Sequence, residues 1–72
     1  MFQKDLFAQR LRALRKGAGE KQEDLAEILG VTATQVSDME QAKKTTTLEK
    51  FVLICEHYRV SADYLLGLRD EP

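Results

Sequence analysis

Between Gln22 and Lys44 the chain sets out side chains that exchange hydrogen bonds: Gln22, Thr32, Thr34, Ser37, Asp38, Gln41, Lys43 and Lys44. Amides, hydroxyls, one carboxylate and two ammonium groups suit recognition of a polar, charged surface rather than bond-making. No nucleophile–base spacing, glycine-rich phosphate loop or metal-ligand cluster occurs in the sequence. His57 is the only histidine and Cys55 the only cysteine. One such pair, without a second, does not make a zinc site. The sequence therefore points away from an enzyme, a metal centre and a small-molecule cofactor.

These side chains need elements to hold them. Seventy-two residues suit one small domain, 1–72, with a core over about 6–67 and a tail at 68–72. A chain of this size buries only about 60% of the surface its unfolded form exposes, so it must pack efficiently or pair with a second copy. No segment alternates like a strand. The periodicity predicts helices throughout. Helix 1 is expected from about Gln3 to Gly17, with Phe7, Leu11 and Leu14 on one face. Helix 2 covers Gln22–Leu29, with Leu25, Ala26 and Leu29 inward, and stops at Gly30. Helix 3 follows Thr32, which forms a capping box with Gln35. Its inward residues are Val36 and Met39. Thr47 and Ser61 suit the N-caps of helices 4 and 5. Helix 4 carries Leu48, Phe51, Ile54, Cys55 and Tyr58, and helix 5 carries Tyr64, Leu65 and Leu66. The expected fold class is all-α, a compact bundle of five short helices.

The segment Gln22–Glu40, QEDLAEILGVTATQVSDME, then reads as two helices about a tight turn at Gly30. Ala26 is small where helix 3 crosses helix 2, and Val31 fills the angle between them. This is the pattern of a helix-turn-helix, a device that places its second helix in the DNA major groove. At about 100° per residue, inward Val36 and Met39 leave Thr34, Ser37, Asp38 and Gln41 facing outward, with Ala33 at the N-terminal edge.

Gln22-Glu-Asp-Leu-Ala-Glu-Ile-Leu-Gly-Val-Thr resembles the opening of the helix-turn-helix in the lambda-repressor/Cro-like (Xre-type) family. The segment Val60-Ser-Ala-Asp-Tyr-Leu-Leu-Gly67 is similar to that family's last helix. The resemblance spans roughly Leu6–Gly67. It implies sequence-specific binding of double-stranded DNA by a transcriptional regulator or phage-type repressor, acting as a homodimer on a two-fold site. It also implies a bacterial or phage-encoded protein of the cytoplasm, nucleoid-associated when bound.

Ala33, Thr34 and Asp38 match family positions that reach base edges, and Ser37 joins them on the outward face. Thr34 can bond several bases, and Asp38 can accept from a cytosine amino group or act only as a repulsive acid. Phosphate contacts are expected from Gln22 at the start of helix 2, from Thr32, from Gln41, Lys43 and Lys44 after helix 3, and from Arg15. The family's glutamate at the position of Glu40 pairs with a helix 1 arginine, here Arg15, and is structural.

The charge pulls the other way. Eleven basic against twelve acidic residues give a net charge of −1, where a DNA-binding domain usually has a basic surplus. Basic residues cluster at Arg10, Arg12, Arg15 and Lys16, and again at Lys43, Lys44 and Lys50. Either cluster also suits a solvated face. The alternative is a protein-interaction module on the same fold, such as an antitoxin, antirepressor or adaptor.

Four departures from the family pattern stand out. Lys21 replaces the usual Ser or Thr cap of helix 2, a change worth about 1 kcal/mol. Glu20 replaces an apolar residue. Gln41-Ala42 replaces a pair ending in glycine, and Arg59 stands at another customary glycine. Val52, Leu53 and Leu68 are candidates for an exposed apolar dimer seam. No apolar run approaches the ~20 residues that span a membrane. Met1–Leu14 carries Lys4, Asp5, Arg10 and Arg12, unlike a signal-peptide core.

Overall fold

The computed structural model describes residues 1–72. It contains five helices and no strand: α1 (Lys4–Gly17), α2 (Gln22–Leu29), α3 (Ala33–Glu40), α4 (Leu48–Tyr58) and α5 (Ala62–Leu66). The apolar face of each helix turns to one interior. Phe7 and Leu11 of α1, Leu25, Ala26 and Leu29 of α2, Val36 and Met39 of α3, Ile54 of α4 and Leu65 of α5 form that core. Burying such side chains is the main force holding so short a chain together.

Local chemistry fixes where the helices begin. The Thr32 hydroxyl accepts from the Gln35 N–H at 3.1 Å, and the Gln35 side chain accepts from the Thr32 N–H at 2.9 Å. Thr47 and Ser61 cap α4 and α5 in the same sense. Helix α1 starts one residue later than its periodicity suggests. Gln3 is its N-cap and lends only a carbonyl, which accepts from Phe7 N–H at 3.0 Å. Lys21 has no acceptor in its side chain, so only half a capping box forms at α2: the Asp24 carboxylate accepts the Lys21 N–H at 2.8 Å.

The turn between α2 and α3 passes through Gly30 at φ 68°, the left-handed region where a side chain is strained. Ala42 at φ 60° and Arg59 at φ 54° adopt the same region with side chains. Both positions therefore carry the left-handed strain that a glycine would avoid. Leu48 departs from its expected core position and is 83% exposed. As the first residue of α4 it projects past the end of the packed face, beside a groove lined by Phe2, Phe7, Phe51 and Leu66. Arg10 is not solvated. Its guanidinium lies 4.2 Å from the Tyr64 ring centroid and bonds the Tyr64 and Arg69 carbonyls and the Asp70 carboxylate. That bond set draws the tail back onto α1 and α5.

Candidate nucleic-acid interface

Packing sets the orientation of α3. Val36, Met39 and Glu40 are buried, which turns Thr34 and Gln41 fully outward and leaves Ala33, Ser37 and Asp38 half-buried along the same side. The Gln41 side-chain amide donates to the Ser37 hydroxyl at 2.9 Å, so these two residues present one joined surface. Gln35 is occupied by its cap. The Asp38 carboxylate takes part in no ion pair of the chain. Its backbone carbonyl accepts from the Lys43 and Lys44 N–H groups at 2.9 and 3.3 Å. The loop after α3 is thereby folded against the helix end, and both lysine side chains are exposed with no acidic partner.

The start of α2 meets the end of α3, where the Gln22 amide lies 3.2 Å from the Glu40 carboxylate. The N–H groups of Gln22 and Glu23 have no acceptor within the chain, as the first N–H groups of a helix do not. They carry the positive end of the helix dipole. At the N-cap of α3 the Thr32 hydroxyl oxygen is taken by Gln35, and its own hydrogen is left to donate outward.

A buried ion pair joins the pieces. Glu40, the last residue of α3, accepts from Arg15 Nε at 2.6 Å and Arg15 Nη2 at 2.9 Å. It also accepts from the Gln22 amide at 3.2 Å. Arg15 Nη1 donates to the Glu20 carbonyl at 2.7 Å. The Arg15–Glu40 pair expected at the end of α3 is thus present and links α1, α2 and α3. The Glu40 hydrogen bond, aided by its charge, raises the Arg15 guanidinium above its ordinary value, against the opposing effect of burial. Arg15 spends three of its five N–H bonds inside the protein and leaves only 9% of its side chain exposed. Its first role is scaffold, and a phosphate can reach only its outer edge.

Sequence patterns did not reveal the second polar junction. Glu20, where an apolar residue was expected, accepts from the Tyr58 hydroxyl at 2.6 Å and bonds His57 Nε2. A polar tie to α4 takes the place of the missing apolar contact. Burial, then the hydrogen bond to Glu20, push the Tyr58 hydroxyl well above the ordinary tyrosine range. The available signal was a pair of departures: an acid in an apolar position, and two side-chain donors side by side at the end of α4. Cys55 is half-buried, and burial raises its thiol. No group of three or more His, Cys, Asp or Glu side chains could hold a metal ion. No helix is long and apolar enough to cross a membrane.

Comparison with known proteins gives a consistent result. Residues 6–66 match the family model described as a helix-turn-helix domain. The chain is 40% identical over 67 residues to the uncharacterised HTH-type transcriptional regulator YobD of Bacillus subtilis, a match covering 93% of the chain and 60% of YobD. The chain therefore spans about three fifths of that curated relative. Among solved structures, it is similar to the P22 c2 repressor in complex with a synthetic operator, with TM-score 0.79 and 30% identity over 85% of this chain and 92% of that one. It is also similar to a transcriptional regulator from Listeria innocua, with TM-score 0.83 and 29% identity over 92% of this chain and 62% of that one.

Proposed function

The chain belongs to the helix-turn-helix domain family, in its lambda-repressor-like form, and from that premise we propose that it binds double-stranded DNA sequence-specifically as a transcriptional regulator. The observation that carries this is the arrangement around α3. Its outward row is accompanied by two sets of unpaired donors, the free N–H groups at the start of α2, which Gln22 holds to Glu40, and the exposed Lys43–Lys44 folded back on Asp38. Base edges need a protruding helix, and the flanking phosphates need donors beside it.

In this mechanism α3 enters the major groove. Thr34 and Ser37 meet base edges with hydroxyls, Ala33 offers apolar contact, and Asp38 accepts from a cytosine amino group. The Gln22 amide and the free α2 N–H groups hold one phosphate oxygen. Thr32, Gln41, Lys43 and Lys44 hold others, and Arg15 contributes at most its outer edge. Local donors carry the affinity, so a net charge of −1 is no obstacle at short range, where screening is weak.

A second copy completes the proposal. Val52 at 51%, Leu53 at 42% and Leu68 at 69% exposure offer apolar area, and a dimer reading two half-sites about one helical turn apart suits a domain this small. A bacterial or phage setting and a cytoplasmic location go with it. The experiment is random-site selection on duplex DNA with equilibrium binding across a salt series. An enriched two-fold site and a linear fall of log affinity with log salt support the function. A salt-insensitive association, or no enrichment at low salt, overturns it.

A further inference from the structure

Glu20 stands immediately before Lys21 and α2, and all its polar groups are engaged. Its N–H donates to the Arg15 carbonyl at 3.1 Å. Its own carbonyl accepts from Arg15 Nη1 at 2.7 Å. Its carboxylate accepts from the Tyr58 hydroxyl at 2.6 Å, and its other oxygen bonds His57 Nε2. One residue thus ties α1 and α4 to the point where α2 begins. Lys21, the next residue, supplies no side-chain cap. Local chemistry alone does not settle the direction in which α2 leaves the turn.

We infer that Glu20 is a positioning residue for the phosphate-binding end of α2: anchored to Tyr58 and His57, it aims Gln22 and the adjacent free N–H groups at one backbone phosphate. The inference rests on the proposed DNA binding and deepens it. Charge-assisted hydrogen bonds are strong only within a narrow range of distance and angle. The core residues Leu25, Ala26 and Leu29 hold the middle and end of α2. Its first turn is closed locally by Asp24 on the Lys21 N–H at 2.8 Å, and is tied to the rest of the protein by Glu20 and by the bond from Gln22 to Glu40 at 3.2 Å. Without the Glu20 carboxylate the half-buried Tyr58 hydroxyl loses its acceptor, and the turn is held at its backbone only.

The test uses the full chain on its selected duplex, with backbone phosphates replaced singly by neutral methylphosphonate. In wild type, neutralising the phosphate at the start of α2 weakens binding roughly tenfold, the worth of one hydrogen bond to a charged group. Glu20→Ala is expected to lose a similar factor on unmodified duplex and to become indifferent to that one replacement. Its penalties at the phosphates facing Lys43 and Lys44 persist. Glu20→Gln keeps an oxygen that accepts from Tyr58 and an amide within hydrogen-bond reach of His57, so it keeps the wild-type pattern. Should Glu20→Ala fail to fold, the double variant Tyr58→Phe/His57→Ala removes the anchor without touching the turn and gives the same expected pattern. An anchor variant that loses thermal stability but keeps every phosphate penalty overturns the inference, as does an even loss at all phosphates. Wild type that binds no duplex at low salt instead overturns the proposed function, and the inference falls with it.

Discussion

Removing Glu40 tests the junction that holds α3 in place. Its carboxylate is 2% exposed and the Arg15 side chain 9%, and three hydrogen bonds converge on it. Glu40→Ala leaves a largely buried guanidinium charge without its carboxylate partner. Breaking a buried pair in this way costs about 3–5 kcal/mol, mostly the desolvation of the abandoned partner. At about 0.05–0.15 kcal/mol per residue, a domain of this length has about 4–11 kcal/mol in all. The variant therefore loses about a quarter or more of its stability. Arg15→Met/Glu40→Leu removes both charges and leaves no orphan, so it is expected to unfold later than either single change. Urea unfolding followed by circular dichroism reads both effects, at constant dependence on denaturant. A loss below about 1 kcal/mol for Glu40→Ala, the range of a solvent-exposed pair, refutes the reasoning. So does a double variant less stable than Glu40→Ala alone.

Three further outcomes follow from the same geometry. Ala42→Gly and Arg59→Gly each relieve a left-handed residue and are expected to stabilise by about 0.5–1 kcal/mol, the relief of about 1–2 less the added chain entropy; urea midpoints check it, and no change at either site contradicts it. Lys43→Ala and Lys44→Ala should each flatten the slope of log affinity against log salt by about 0.9 without altering base preference, as binding to the selected duplex across a salt series would show. Tyr58, an acid whose folded value is raised, contributes stability that is fully present below the unfolded value of 10.0 and lost as pH rises above it. Thermal unfolding between pH 8 and 11 should show that decline, and Tyr58→Phe should remove it.

The starts of the helices were legible because their causes are local. Thr32, Thr47 and Ser61 each cap a helix within three residues, and Gly30 marks a turn by its own conformation. The inward faces of α2 and α3 followed from helical spacing alone. What escaped the sequence depends on partners distant along the chain. Glu20 is 37 and 38 residues from the donors it holds, and Arg10 is up to 60 residues from its acceptors. Neither contact leaves a periodic signal. Leu48 misled for another reason: spacing places a residue on a face but does not say whether the neighbouring element extends far enough to cover it. The outward row of α3 was inferred from the angle per residue, whereas the degree of burial of Ser37 and Asp38 depends on how α3 tilts against its neighbours.

Asp38 tests the central claim, that the outward row of α3 reads base pairs. The carboxylate is unpaired in the chain, and it enters a strongly negative field if α3 enters the major groove. Selected-site profiles of wild type and Asp38→Ala, taken at one salt concentration, decide its role. The account predicts that the variant relaxes selection at a single C·G pair in each half-site, with about 1–3 kcal/mol of discrimination lost, while all other positions keep their preference. An unchanged profile with tighter binding to every sequence would contradict it.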